Sequence, residues 1–181
     1  MMMNLNVKIL QKSTVSEIEI KQLTALINSV YKTSEGEFWP TDGSYSRTNI
    51  NEITDFISKG EMIVALLKDE IVGSVHVYPI NETTLGFGML TSSLRYRKMG
   101  IGNILLKAVE CFAIENHYFT IQLELLKPIE FNHPEKEFLE KWYGKWGYKH
   151  HETIPHEKLY FKQATMLKFP CKFDIFQKLL L

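Results

Sequence analysis

Arg97-Lys98-Met99-Gly100-Ile101-Gly102 is the run whose residue types and position could hold an anion. A strand-like segment, Thr84 to Ser92, comes before it, and Ile104, Leu105, Ala108, Val109 and Phe112 recur at helical spacing after it. A glycine-punctuated turn at such a junction leaves main-chain N–H groups without helical partners, and the helix dipole favours negative charge there. The chemistry implied is phosphate binding by amides. A dinucleotide fold would need G-x-G-x-x-G and an acid about twenty residues on. Gly100-Ile101-Gly102-Asn103-Ile104-Leu105 lacks the third glycine, and no P-loop is present.

Other reactive residue types are less organised. His150, His151, Glu152 and His156 miss the H-E-x-x-H spacing by one residue, and Pro155 interrupts a helix there, so they read as surface histidines. Cys111 falls near an apolar helical stripe and reads as core, whereas Cys171 follows Pro170 with no histidine–acid arrangement nearby. Neither cysteine has metal-ligand spacing, so no metal is expected.

The elements that must position the turn are legible along the chain. Leu5, Val7 and Ile9 alternate as a first strand. Thr14 and Glu17 have capping-box spacing ahead of a helix with the stripe Leu23, Leu26, Ile27 and Val30. Thr33 to Tyr45 reads as an aromatic-rich loop, and a second helix fits Asn49 to Lys59, with Thr48 as cap and Gly60 closing it. Met62 to Leu67 and Ile71 to Tyr78 form an antiparallel pair. After the helix that follows the turn, Phe119 to Leu125 alternates with a polar face of Thr120, Gln122 and Glu124. Pro134 opens a helix with the expected buried stripe Phe138, Leu139, Trp142, Tyr143 and Trp146, ended by Gly147. Tyr148 to Ile154 and Phe173 to Lys178 are final strands. This order predicts a mixed α/β (α+β) architecture, with a mostly antiparallel twisted sheet of about seven strands and about four helices in one domain over 1–181.

Composition bounds the partners. The chain has 181 residues, 45% of them apolar, and 21 basic residues balance 21 acidic ones. With no net field, nucleic acid and anionic membranes are not expected partners. No apolar run has the length of a membrane span, no signal-peptide layout opens the chain, and a reduced, cytoplasmic setting is expected.

Three stretches in order carry a resemblance to a family. They are Arg97, Gly100 and Gly102 as R-x-x-G-x-G, the Leu123-Glu124-Leu125 strand, and Trp142-Tyr143-Gly144-Lys145-Trp146-Gly147-Tyr148 as an aromatic-Tyr-x-x-x-Gly-aromatic signature. Together they resemble the GNAT superfamily of acyl-CoA-dependent N-acyltransferases. The resemblance implies acetyl-CoA as cosubstrate, with its pyrophosphate on the amides of Lys98, Met99, Gly100, Ile101, Gly102 and Asn103, and Arg97 opening the motif. It implies that Leu90, Thr91 and Ser92 pair with the pantetheine arm as if it were a strand, one N–H polarising the thioester carbonyl. Leu94 stands where the family often has proline.

Attack of an amine on a thioester needs a neutral amine and a proton for the departing thiolate. Glu124, on the polar strand face, is the candidate base, acting directly or through water. The strand from Thr84 to Thr91 offers no acid of its own. Tyr143 is the candidate acid by its match to the family's tyrosine. The loop between the first two helices, which walls the acceptor pocket in the family, offers Tyr31, Glu35, Glu37, Phe38, Trp39, Asp42, Tyr45 and Arg47. Its acids suit a cationic amine and Arg47 a carboxylate, so a small-molecule amine such as an amino acid or a polyamine-like metabolite is the expected acceptor, with Trp39, Tyr45 and Arg47 in contact. A non-catalytic acyl-CoA-binding module is the alternative. The segment from His156 to Cys171 reads either as a cover for the pocket or as a homodimer contact.

Overall fold

A computed structural model describes residues 4–180. Seven strands form one sheet in the order β1-β2-β3-β4-β5-β7-β6. They are β1 (Leu5–Ile9), β2 (Met62–Leu67), β3 (Glu70–Pro79), β4 (Thr84–Ser92), β5 (Thr120–Pro128), β6 (Lys149–Pro155) and β7 (Cys171–Leu179). All neighbours are antiparallel except β4 and β5. Lys68 and Asp69 both take positive φ, which makes the tight β2–β3 turn.

Helices α1 (Glu17–Glu35) and α2 (Ile50–Ser58) cover one face through Leu23, Ile27, Ile53 and Ile57, packed on Met62, Val64 and Met89. Helices α3 (Ile101–Glu115) and α4 (Pro134–Lys145) cover the other, where Leu105, Leu106 and Val109 meet Val75, Val77, Leu85, Phe87, Ile121 and Leu123. Alternation along β5 sends Leu123 and Leu125 to the α3 face, and Glu124 and Leu126 to the α1 face. Gly73 lets α3 approach closely, since a Cβ there would lie 2.5 Å from Ile101 Cγ2 and 2.8 Å from the Thr91 carbonyl oxygen.

The feature that positions the site is a split in the sheet. β4 and β5 pair only from Thr84–Thr120 to Phe87–Leu123. Beyond that point β5 continues against β7 to Pro128, and β4 continues against β3 to Ser92. In β4, Gly88 faces His76 and Thr91 faces Ser74, so Met89 and Leu90 stand opposite Val75 alone, with Met89 at φ 49°. A bulge of this kind bends its strand and increases the local twist, which turns β4 away from β5.

Several sequence expectations need correction. The first helix is capped by Ser16 with Glu19, not Thr14 with Glu17: Glu19 N–H donates to Ser16 Oγ at 3.2 Å, and Ser16 N–H donates to the Glu19 carboxylate at 2.8 Å. Thr14 Oγ1 is instead 3.4 Å from the Gln11 carbonyl oxygen. That helix also runs to Glu35, through the start of the expected loop. Asn49, not Thr48, caps α2, while Thr48 Oγ1 donates to Glu52. Phe138 is 66% exposed and Lys136 is buried in its place, because Lys136 reaches back to an ion pair with Glu35. Cys111 is exposed rather than core. His150 and His151 are exposed as expected, but His156 is 1% exposed. The crossover that carries it contains two one-turn helices, α5 (His156–Leu159) and α6 (Phe161–Ala164).

Candidate active site

The anion turn begins after a 3-10 turn, Leu94–Tyr96, pinned to the β2–β3 hairpin by a 3.0 Å hydrogen bond from Tyr96 Oη to Glu70. Arg97 is extended, Lys98 has φ 65°, and Gly100 caps α3 in the left-handed region at φ 78°. No side chain caps α3. The Ile104 N–H is the first to find a helical carbonyl, that of Gly100 at 3.0 Å. The amides of Ile101, Gly102 and Asn103 therefore have no acceptor among the described residues. Arg95, Arg97, Lys98 and Lys107 stand exposed around them. Met99, Gly100, Asn103 and Ile104 also line a shallow groove with Leu5 of β1.

Two members of the motif have structural duties as well. Asn103 Oδ1 accepts the indole N–H of Trp142 at 3.1 Å and of Trp146 at 3.2 Å, tying the first turn of α3 to α4. Its main-chain amide, not its side chain, is the group open to an anion. Gly102 lies under Trp142, whose ring would be 3.1 Å from a Cβ. Ile101 is buried against Gly73.

Leu90, Thr91 and Ser92 lie on the part of β4 that has β3 on one side and no strand on the other. Thr91 is fully buried and its hydroxyl donates to the Met89 carbonyl at 3.0 Å. Tyr143 sits at the vertex of the split, on the α3 face, with its ring 6.1 Å from Phe87, 6.0 Å from Tyr148 and 5.1 Å from Trp142. Its hydroxyl makes no hydrogen bond among the described residues. Burial, with the phenols of Tyr31 and Tyr148 adding to it, pushes its pKa well up and keeps it protonated.

Glu124 occupies the opposite face of the same split. Its carboxylate accepts a 2.7 Å hydrogen bond from Tyr160 Oη, at the junction of α5 and α6. Tyr78 stands beside them. Burial first, and then the Glu124 carboxylate, raises the pKa of the Tyr78 phenol. For Tyr160 burial also leads, followed by its hydrogen bond to Glu124, so both phenols remain protonated donors. Gly86 admits the Tyr78 ring, which lies 2.4 Å from where a Cβ would be. Gly88, two residues along on the same face, has nothing within 4 Å of its Cβ position. Open space begins there, beside Glu124.

The loop residues divide. Trp39 is buried and stacks on Tyr45 at 3.9 Å and 7°. Arg47 is half-buried, with its guanidinium 5.1 Å above the Tyr31 ring. Burial raises the Tyr31 and Tyr45 phenols to about 12, against the opposing pull of Arg47. Phe38 is core. The acids expected to draw a cationic amine are committed elsewhere: Glu35 to Lys136, Glu37 to His133, and Asp42 to the Ser44 amide at 2.9 Å. Sequence reasoning missed Tyr78, Tyr160, Gly86 and Gly88. The alternating glycines of β4 were the available signal for the last two. Nothing local marked Tyr160, which meets Glu124 across 36 residues.

A helix start with partnerless amides, next to a strand edge freed by a bulge, is the arrangement that suits an acyl-CoA held along a split sheet. The sequence model of the acetyltransferase (GNAT) family matches residues 24–145, and the chain belongs to that family. It is an acyl-CoA-dependent N-acyltransferase. Its fold is similar to an aminoglycoside 6'-N-acetyltransferase complexed with coenzyme A, at 16% identity over 97% of both chains with a TM-score of 0.72. It is similar to an N-acetyltransferase from Staphylococcus aureus Mu50, at 14% identity over 98% of this chain and 99% of the other, with a TM-score of 0.71. A GNAT family acetyltransferase from Elizabethkingia anophelis with acetyl-CoA bound matches at 14% identity over 98% and 99%, with a TM-score of 0.61. The comparison with curated proteins gives no match.

The residues present fit coenzyme A on two observations: the partnerless amides from Ile101 to Asn103 and the unpaired edge of β4 from Gly88 to Ser92. Among the described residues no group of three His, Cys, Asp or Glu side chains could hold a metal ion. No helix among them is long and apolar enough to cross a membrane.

Proposed function

We propose that the chain transfers an acetyl group from acetyl-CoA to the primary amine of a small molecule, within a reducing, cytoplasmic compartment that suits its exposed Cys111. The observation that carries this reading is the split itself, with Tyr143 on one face and Glu124 with open space on the other. The amides of residues 98–103 hold the pyrophosphate, and Leu90 to Ser92 hold the pantetheine arm. Bound there, acetyl-CoA supplies the acyl group as a thioester activated toward an amine.

Glu124 takes the proton of the acceptor ammonium, directly or through water. The need for a base is large, because an alkyl ammonium with pKa near 10 is only about one part in 10³ neutral at pH 7, a cost of about 4 kcal/mol. Tyr160 holds the carboxylate through its hydrogen bond. Tyr143 stays protonated and donates toward the sulfur. Full proton transfer from an ordinary phenol to a thiolate is uphill by about 2 kcal/mol. Burial of Tyr143 steepens that climb, so its contribution is a hydrogen bond rather than a completed transfer.

Release of the CoA thiol, measured over amino acids, polyamines, aminoglycosides and peptide N-termini, tests the reading. Turnover on small amines supports it. Turnover restricted to peptides refutes the small-molecule acceptor, and CoA binding without turnover across the panel refutes catalysis in favour of a binding module.

A further inference from the structure

Arg47 brings to the acceptor face a guanidinium that no carboxylate of the described residues contacts directly, although Glu35 and Glu52 add to the field that favours its charge. Its guanidinium lies half-buried over Tyr31, and among the described residues it forms no ion pair. Three carboxylates lie around the same face, and each has another partner. Glu35 is paired with buried Lys136, Glu52 accepts the Thr48 hydroxyl and belongs to the first turn of α2, and Glu124 is held by Tyr160. A guanidinium presents a planar fork of donors that matches a carboxylate, and it cannot shed its charge to ease the mismatch.

Where Arg47 sits gives this direction. Trp39 meets His156 at 6.1 Å and His156 meets Tyr160 at 5.8 Å, so ring contacts join the Arg47 loop to the phenol that holds Glu124, and the Tyr78 and Tyr160 phenols both feel Glu124 and Arg47. Tyr45, stacked on Trp39, and Tyr31 close the Arg47 side. Gly86 and Gly88 remove side chains from the floor, the first filled by the Tyr78 ring and the second left open. A base and a guanidinium without an ion pair therefore share this face, each in contact with a phenol. A polyamine or any acceptor with a second cation would place like charge against Arg47, which the cleft disfavours.

We infer that the acceptor is an amine that also carries a carboxylate, with Arg47 binding the carboxylate and Glu124 facing the amine. The inference rests on the acyltransfer reading above and narrows its substrate class to amino acids in the broad sense. Arg47 acts here as the specificity-determining residue. The fork contributes a charge-assisted pair, which corresponds to roughly a tenfold to hundredfold preference over an uncharged analogue.

Matched pairs test it: each of the twenty α-amino acids, β-alanine and γ-aminobutyrate against its carboxamide. They are assayed with acetyl-CoA on the wild type, Arg47→Ala and Arg47→Lys, together with thermal stabilisation of the CoA-loaded protein by each ligand. The wild type is expected to prefer at least one acid over its amide tenfold or more in kcat/KM. Arg47→Ala brings that ratio close to one through KM, and Arg47→Lys restores only part of it. The acid, and not the amide, raises the melting temperature of the wild type, a binding readout that stands even without turnover. Equal use of acid and amide by the wild type overturns the inference, as does an equal loss for both in the variants. Turnover of amines that is indifferent to the carboxylate overturns this inference alone. Absence of turnover with any amine, alongside acid-specific stabilisation through Arg47, overturns the acyltransfer reading and leaves the carboxylate site standing.

Discussion

Replacing Gly88 with valine separates folding from acceptor binding. Its Cβ position has no heavy atom within 4 Å and its backbone lies outside the left-handed region, so an added Cβ meets no protein. Strand propensity favours valine over glycine within a total span of about 1 kcal/mol. Stability in urea should therefore stay the same or rise by less than about 1 kcal/mol. The neighbouring glycines behave oppositely. A Cβ at Gly86 would sit 2.4 Å from the Tyr78 ring, and one at Gly73 2.5 Å from Ile101 Cγ2, so valine at either should cost about 1–3 kcal/mol or more. At Gly88 the valine methyls project onto the face of the split that holds Glu124, where the account places the acceptor. A loss of at least tenfold in kcat/KM for the amine is expected, about 1.4 kcal/mol, with CoA affinity within threefold of wild type. Urea unfolding, steady-state kinetics and CoA calorimetry on the same preparation decide the matter. A Gly88→Val protein with wild-type kinetics refutes the placement of the acceptor, and one as unstable as Gly86→Val refutes the open space.

Further outcomes follow from the same geometry. Tyr143→Phe should lower kcat at least tenfold with CoA affinity and stability nearly unchanged, since its hydroxyl has no partner among the described residues; equal turnover removes Tyr143 from the reaction. Glu124→Gln should cost about a hundredfold at pH 7, and the deficit should shrink as pH rises toward the pKa of the acceptor amine, because the free amine then forms without a base. A deficit independent of pH would contradict the role of Glu124. Burial lowers the pKa of both His76 and His156, so the unfolded chain binds more protons. Their contribution to stability is present above the unfolded value near 6.5 and is lost as pH falls below it, by no more than about 1.4 kcal/mol per unit for each. Urea midpoints from pH 7.5 to 5 should show the decline, and His156→Phe should flatten it; an unchanged slope would refute the His156 share.

The strands and the α3 turn were legible because alternation and glycine punctuation are local signals. Leu123, Glu124 and Leu125 announce their faces by position alone. The split was not legible, since it depends on a bulge at Met89 and on β7 pairing with β5 from fifty residues away. Caps slipped by one or two residues because Thr14 and Ser16, or Thr48 and Asn49, offer equivalent side chains and only the backbone chooses. Phe138 and Lys136 exchanged expected roles because a buried ion pair with Glu35, 101 residues away, outweighs the apolar stripe. His156 is buried by stacking on Phe173 at 5.1 Å, a contact between segments that share no sequence pattern. Trp39, Tyr45 and Arg47 lie between α1 and α2 by sequence order alone, but which charges there lack an ion pair required the partners of Glu35 and Glu37 to be seen.

Amide hydrogen exchange of the protein with and without CoA tests the central claim most directly. Protection is expected at two separated sets of amides, Lys98 to Asn103 and the edge of β4 from Met89 to Ser92, with β1 and the β2–β3 turn unchanged. Protection at neither set with millimolar CoA, or protection confined to other strands, would contradict it.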